Sequence, residues 1–250
     1  KKILICFLIL FFLGLFFSFS STSSLAGERL NKDYYFFFTK HLIFTVLAIS
    51  IMMIISFIRT EVLIKLVIPA FVVSFIFLAI VPIIGVEAKG ARRWLNLYFF
   101  NLQPVEILKP LFILMTVKIL TYENFQNYHI KYLLSFILLS CVIILLIDQP
   151  DLGQSILLTS SWIATVFVSG VSLIYIGIFL AIFLILFSSL LFLLPEKFGY
   201  IINRLITFFD PSQGDKFQSS SALEAIKLGG LTGQGMGEGI LKESVPEAHT

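Results

Sequence analysis

Charge is scarce in this chain. Asp, Glu, Lys and Arg make up 13% of its 250 residues, about half of the roughly 25% found in a soluble domain. It has no dense Lys/Arg run and a net charge of only +3, which excludes the electrostatic footprint of a nucleic-acid binder. Cysteine is scarcer still. Cys6 and Cys141 both sit inside apolar runs, so neither a disulfide framework nor a metal knuckle fits them. No segment repeats another at a fixed period, and no low-complexity linker divides the chain. What fills it is oil: 58% of residues are hydrophobic, 28 of them Phe, and the mean hydropathy is +0.98. Soluble domains hold about 45–50% apolar residues. The excess is too large for one buried core and reads as an integral membrane protein.

About 20 apolar residues are needed to cross a hydrocarbon core of about 30 Å as a helix. Seven candidate spans meet that need approximately, at 3–20, 35–58, 64–84, 104–120, 132–148, 154–169 and 172–194. After Leu194 the chain runs to Thr250 without another. Within that stretch, 197–209 mixes aromatic and aliphatic residues with Lys197 and Arg204, as an interfacial helix does. Residues 219–228, SSSALEAIKL, read as a short amphipathic helix with a Ser cap, ending at Gly229. The expected fold is therefore all-α, a polytopic membrane helical bundle. Residues 1–194 hold the transmembrane helices and residues 195–250 one large loop outside the membrane. Lys1, Lys2, the apolar run to Phe17 and SSTSSLAG would also suit a cleaved leader with small residues around Ala26. Six further spans make a leader unnecessary. Charge does not fix orientation. Lys1, Lys2, Arg59, Lys65, Lys118 and Lys131 fall on one side, and Arg29, Lys32, Lys40, Lys89, Arg92 and Arg93 on the other, so the positive-inside rule abstains.

Ionisable groups at membrane depth are costly and usually face a bundle interior, so each is a functional candidate. The first group lies in GARRWLNLYFFNLQPVEILKP, residues 90–110. Gly90 and Asn96 break its regularity, and Trp94, Tyr98 and Phe99 suit an interface, which predicts a re-entrant or surface-lying segment. It leads into a helix starting near Pro104, a residue tolerated in a first turn. Glu106 and Lys109 stand three apart on one face of that helix, within reach of each other. They form either a self-satisfying pair that snorkels to the headgroups or, with Arg92 and Arg93, a polar cluster serving an anionic substrate. The second group is IDQPDLGQS, residues 147–155. Asp148 and Asp151 could form a metal or acid–base pair, but an inter-helix turn with Asp151 capping the next helix accounts for them more simply.

The third group is the polar end, GGLTGQGMGEGILKESVPEAHT, residues 229–250. It lacks the lysine of a phosphate-binding loop and the strand–turn–helix setting of a dinucleotide fingerprint. Its glycines mark backbone that bends sharply or approaches something closely. Asp210, Glu238, Glu243, Glu247 and His249 are candidate acid–base groups, and nothing in their spacing selects one.

GARRWLNL, LQPVEILKP, QPDLGQS and FFDP…GGLTGQGMGEGILKESVPEAHT occur in this order, and together the chain resembles the SEDS family of FtsW, RodA and SpoVE. Each motif alone is weak; four in register between the right numbers of spans are specific. The resemblance runs essentially from end to end and includes the SSTSS cluster after the first span. The GEG…VPEAHT form and the Lys109–Pro110 pair look more like FtsW, the division member, than RodA. Two positions depart from the family pattern: Val105 stands where the family has a serine, and Lys216-Phe217-Gln218 replaces a Gly-Tyr-Gln.

The resemblance implies ten transmembrane helices, seven of them here, with the first end cytoplasmic and residues 195–250 in an extracytoplasmic loop. It implies a peptidoglycan glycosyltransferase in the bacterial cytoplasmic membrane, at the division septum. Its substrates would be lipid II and an undecaprenyl-pyrophosphate-linked glycan. Its partners would be a class B penicillin-binding protein transpeptidase and other divisome proteins, with no nucleic acid. By the same resemblance Arg92, Arg93 and Lys109 offset charge on the leaving pyrophosphate, and Glu106 holds Lys109 by charge pairing. Gly233, Gly235, Gly237, Pro246, Glu247, His249 and Thr250 position a loop that carries a general base. That base is expected to be an aspartate immediately after Thr250, so these 250 residues alone are expected to be inactive. No cofactor is certain and no ligand cluster demands a metal, although a divalent cation could share the leaving-group charge. The rival readings are a lipid-linked precursor flippase or transporter and a membrane scaffold for a transpeptidase.

Overall fold

The computed structural model describes residues 2–21, 35–88, 91–98, 100–123, 127–193, 199, 206, 217–230 and 232–235. The described elements are α1 (Lys2–Ser21), α2 (Phe36–Phe57), α3 (Thr60–Ile84), β1 (Val86–Ala88), β2 (Ala91–Asn96), β3 (Asn101–Leu102), α4 (Pro104–Leu120), α5 (Tyr128–Asp148), α6 (Leu152–Val168), α7 (Leu173–Leu193) and α8 (Phe217–Gly229). Helices α1 to α7 lie over the seven apolar segments. Two of them start earlier than hydropathy alone predicts, at polar signals. Helix α3 begins at Thr60 with Glu61 in its first turn, where a carboxylate complements the helix dipole. Helix α5 begins at Tyr128 because the Asn127 side chain accepts the His129 N–H at 3.0 Å.

Four described helices, Lys2–Phe19 within α1, α2, α3 and α5, are long and apolar enough to cross a membrane. Helix α6 and the Leu173–Ser189 part of α7 are apolar but shorter. Helix α4 has 17 residues and carries Glu106, Lys109 and Lys118. The outer faces are as oily as the core: Phe12 is 71% exposed, Ile83 75% and Ile174 72%. Hydrocarbon, not water, is the solvent that such faces fit. The hydroxyls of Thr159, Ser160, Ser161 and Thr165 in α6 each donate to the carbonyl four residues back, at 2.8–2.9 Å. Backbone bonding of this kind hides a hydroxyl at membrane depth.

The chain divides into two compact units, Lys1–Ile58 with Arg204–Thr250, and Arg59–Asn203. In the first, α1 packs on α2; Gly14 leaves room for the His41 ring, and Phe19 meets Phe38 edge-on at 5.4 Å. Helix α8 starts at Phe217, so Ser219, Ser220 and Ser221 lie within its first turns and none is the expected cap. It ends at Gly229 as expected, where Gly230, at φ +55°, donates its N–H to Ile226 O at 3.2 Å. That is the left-handed stop glycine permits. Of the expected interfacial helix at 197–209, only Gly199 and Ile206 lie within the described residues.

In the second unit, α3 to α7 enclose a core built on Leu78, Leu108, Phe112, Leu139, Leu146 and Trp162. Trp162 is 1% exposed, donates its indole N–H to Ser135 Oγ at 3.3 Å and packs on Phe136 and Phe179. The purely α expectation needs one correction. Strands Val86–Ala88, Ala91–Asn96 and Asn101–Leu102 form a three-stranded antiparallel sheet, β1-β2-β3, with Glu87 opposite Arg92 and Asn96 opposite Asn101. The physical reason is a period of two: Ala91 and Leu95 are buried while Arg92, Trp94 and Asn96 are exposed. The sheet meets the end of α3 at Gly85, where a Cβ would lie 2.4 Å from Val81 O and 3.3 Å from Trp94 O.

Candidate functional site

The sequence of α3, β2, α4 and α6 brings a cluster of polar residues to one end of the bundle of the second unit. Helix α4 follows the sheet directly, with Gln103 as its N-cap residue and Pro104 in the first turn. Helix α6 starts two residues after Pro150. Their first turns lie side by side and are tied twice. Gln103 Nε2 donates to Asp151 Oδ2 at 3.4 Å, and one turn further on Gln154 Nε2 donates to Glu106 Oε1 at 2.9 Å.

Glu106 and Lys109 do form a pair. Lys109 Nζ lies 2.7 Å from Glu106 Oε2, with the lysine side chain 20% exposed and the glutamate side chain 51%. Glu106 therefore divides its oxygens between Lys109 and Gln154. Gln154 Oε1 is buried and has no hydrogen-bond partner, so it offers an unused acceptor beside the pair. Both helix N-termini point to this end, and their partial positive charge adds to that of Lys109.

The two arginines are engaged with main chain. Arg93 donates from Nε to Gln149 O at 3.2 Å and from Nη2 to Pro150 O, and its Nε lies 3.9 Å from Asp151 Oδ2. Arg92 reaches the last carbonyls of α3, Pro82 O at 3.4 Å and Ile83 O at 3.5 Å, and lies 3.5 Å from Glu87 Oε2. A cation over a helix C-terminus is where the dipole favours one. Arg93 thus belongs with Asp151 and Gln103, and Arg92 with the α3 terminus, whereas Lys109 sits with Glu106 and Gln154.

Asp151 does not cap α6. It occupies the N-cap position with no side-chain cap bond, because its carboxylate turns to Arg93 and Gln103. Its main-chain oxygen takes the helix bonds, from Ser155 N at 3.1 Å and Ser155 Oγ at 2.9 Å. The two aspartates of the turn differ: Asp148 is exposed and Asp151 is 8% exposed. Among the described residues, no three His, Cys, Asp or Glu side chains gather as metal ligands. Gln103, Gln149 and Gln154 were not picked out by sequence reasoning. The repeated Gln-Pro of LQP and DQP is the signal that marks the first two.

Of the glycine-rich end, Gly233 and Gly235 lie within the described residues, with φ of +75° and +112°. Side chains rarely adopt such values, which fits the reading of sharply bent backbone. Gly237, Pro246, Glu247, His249 and Thr250 lie outside the described residues. A cavity of about 460 Å³ lies elsewhere, at the opposite ends of α4 and α6, among Ile113, Val117, Leu120, Thr121, Ala164, Thr165, Val168 and Ser169. It contains none of the charged groups of the site.

The sequence pattern of one family, described as "Cell cycle protein" and labelled FTSW_RODA_SPOVE, matches residues 1–250. A relative in Caulobacter vibrioides, "Probable peptidoglycan glycosyltransferase FtsW", is 34% identical over 245 residues, 95% of this chain and 60% of the relative. The chain thus spans about three fifths of the length of the curated relatives it matches. Among solved structures, one from a peptidoglycan synthase complex described as coordinating polymerization and crosslinking is 25% identical. It covers 88% of this chain and 66% of its own, with a TM-score of 0.61. The rod shape determining protein RodA of Thermus thermophilus, in a mutant form, is 26% identical over 66% of this chain and 53% of its own, with a TM-score of 0.56. The likeness extends to the fold: this is a polytopic helical membrane protein.

Proposed function

Because the chain belongs to the FtsW, RodA and SpoVE family of cell cycle proteins, we propose that the whole protein is a peptidoglycan glycosyltransferase of the division type. It polymerises lipid II into glycan strands in the bacterial cytoplasmic membrane, at the septum. All seven helices α1 to α7 cross the membrane, the first end is cytoplasmic, and residues 195–250 form an extracytoplasmic loop. The 34% identity to a relative named as a peptidoglycan glycosyltransferase supports the activity. A class B penicillin-binding protein as partner draws support from the likeness to a synthase complex.

The observation that carries the site is the Glu106–Lys109 pair at 2.7 Å, at the start of α4 beside a second helix N-terminus, with the lysine largely covered and the glutamate half exposed. In the proposed reaction the 4-hydroxyl of the acceptor sugar attacks the anomeric carbon of the donor. The new glycosidic bond forms as the bond to undecaprenyl pyrophosphate breaks. A carboxylate takes the hydroxyl proton; by family resemblance this is the aspartate that follows the His-Thr motif. The leaving pyrophosphate gains charge, and a positioned cation in a low-dielectric setting stabilises it. Lys109 is that cation, oriented by Glu106, which Gln154 holds in turn. Arg92 and Arg93 shape the rim by gripping main-chain carbonyls and add positive potential. A divalent cation could share the charge on the pyrophosphate.

Fluorescent lipid II supplied to the full-length protein in proteoliposomes tests the reading. Long glycan strands on a gel are expected. Transfer of lipid II between leaflets with its covalent structure unchanged would make the protein a transporter instead.

A further inference from the structure

Pro82 lies inside α3, two residues before its end. Proline has no N–H, so the carbonyl four residues back, that of Leu78, loses its helical partner. Leu78 is 0% exposed, so water cannot take the vacancy. Gln149 fills it from the turn between α5 and α6: its Nε2 donates to Leu78 O at 2.9 Å, across 71 residues of sequence, and the residue is 3% exposed. The same turn is gripped from the other side, where Arg93 donates to Gln149 O and Pro150 O. The next residue, Asp151, accepts from Gln103, whose own carbonyl accepts the Glu106 N–H at 3.1 Å. An unbroken line of bonds thus runs from the gap at Pro82 to the first turn of α4.

We infer that Gln149 is a positioning residue for the Glu106–Lys109 pair, and that it acts by supplying the hydrogen bond that Pro82 withholds from Leu78. Only the activity half of the consequence rests on the polymerase reading; the structural half does not. The mechanism predicts a specific suppressor. Gln149→Met keeps length and volume but removes the donor, leaving a buried carbonyl unsatisfied. Pro82→Ala returns an N–H to that carbonyl. A carbonyl oxygen has two lone pairs, so Pro82→Ala alone is tolerated.

The test uses the full-length protein in nanodiscs, with amide hydrogen exchange and lipid II polymerisation measured on the same samples. Gln149→Met is expected to speed exchange at Glu106 and its first-turn neighbours about tenfold, the effect of leaving one buried carbonyl bond unmade. It should also lower kcat more than it raises KM. Adding Pro82→Ala should restore both to within about threefold of Pro82→Ala alone, because the carbonyl is satisfied again. Unchanged exchange in Gln149→Met, exchange rising throughout α5 and α6 alike, or failure of Pro82→Ala to restore α4 would each overturn the inference. If exchange responds and recovers while polymerisation ignores both Gln149→Met and Lys109→Ala, positioning stands and the polymerase assignment of the pair falls.

Discussion

Arg93 uses the fork of one guanidinium to hold two successive carbonyls, those of Gln149 and Pro150, and to face Asp151. A lysine offers a single point charge and cannot reproduce that geometry. Arg93→Lys is therefore expected to destabilise the protein by about 1–3 kcal/mol, the usual cost of unmade bonds at partly buried groups, as read by denaturant unfolding in micelles. Arg92 makes longer contacts and its side chain is 46% exposed. Arg92→Ala should thus cost under about 1 kcal/mol, and an equal loss at the two positions would contradict these roles. At this scale the sequence was legible where partners are local. Glu106 and Lys109 are three apart in one helix, and their pairing follows from helical geometry. The role of Gln149 was not legible, because its partner is the main chain of another helix 71 residues away. Asp151 shows the same limit: its spacing suits a cap, but a tertiary arginine draws its carboxylate away.

Between residue and fold, the element that positions the site is the short sheet joining α3 to α4. It depends on Gly85, where a Cβ would lie 2.4 Å from Val81 O. Main chain cannot give way cheaply, so Gly85→Ala is expected to cost about 1–3 kcal/mol as an overpacked junction. It should also disturb β1 and β2 more than α5, which exchange protection would show. Equal protection of β2 in Gly85→Ala and the parent would remove the argument. Helices α1 to α7 were legible from hydropathy because each lies over one apolar segment, and four of them are long and apolar enough to cross a membrane. The sheet is less legible, because Gly90 and Asn96 break the regularity of the segment and Trp94, Tyr98 and Phe99 suit an interface, although the alternation from Ala91 to Asn96 carries a strand signal. Helix starts drifted where a cap such as Asn127 set them.

Across the whole molecule, composition alone separated a membrane chain from a soluble one, since both the core and the outer faces are apolar. Orientation was not legible, because cations divide evenly between the two sides. The order of the GARRWLNL, LQPVEILKP and QPDLGQS motifs gave the family, and the structure explains why they stand together. They supply β2, the first turn of α4 and the start of α6, three pieces of one polar end. The central claim is that this end stabilises the leaving pyrophosphate through Lys109 as Glu106 holds it. The most direct measurement is the rate of lipid II polymerisation by purified full-length protein, compared among the parent, Lys109→Ala and Glu106→Ala, with thermal unfolding recorded for each. One lost charge contact in a catalytic site costs about 10²–10³ in rate. The account predicts a fall of about that size in Lys109→Ala, a marked fall in Glu106→Ala, and near-parental unfolding in both. Strand synthesis at the parental rate in both variants would contradict it.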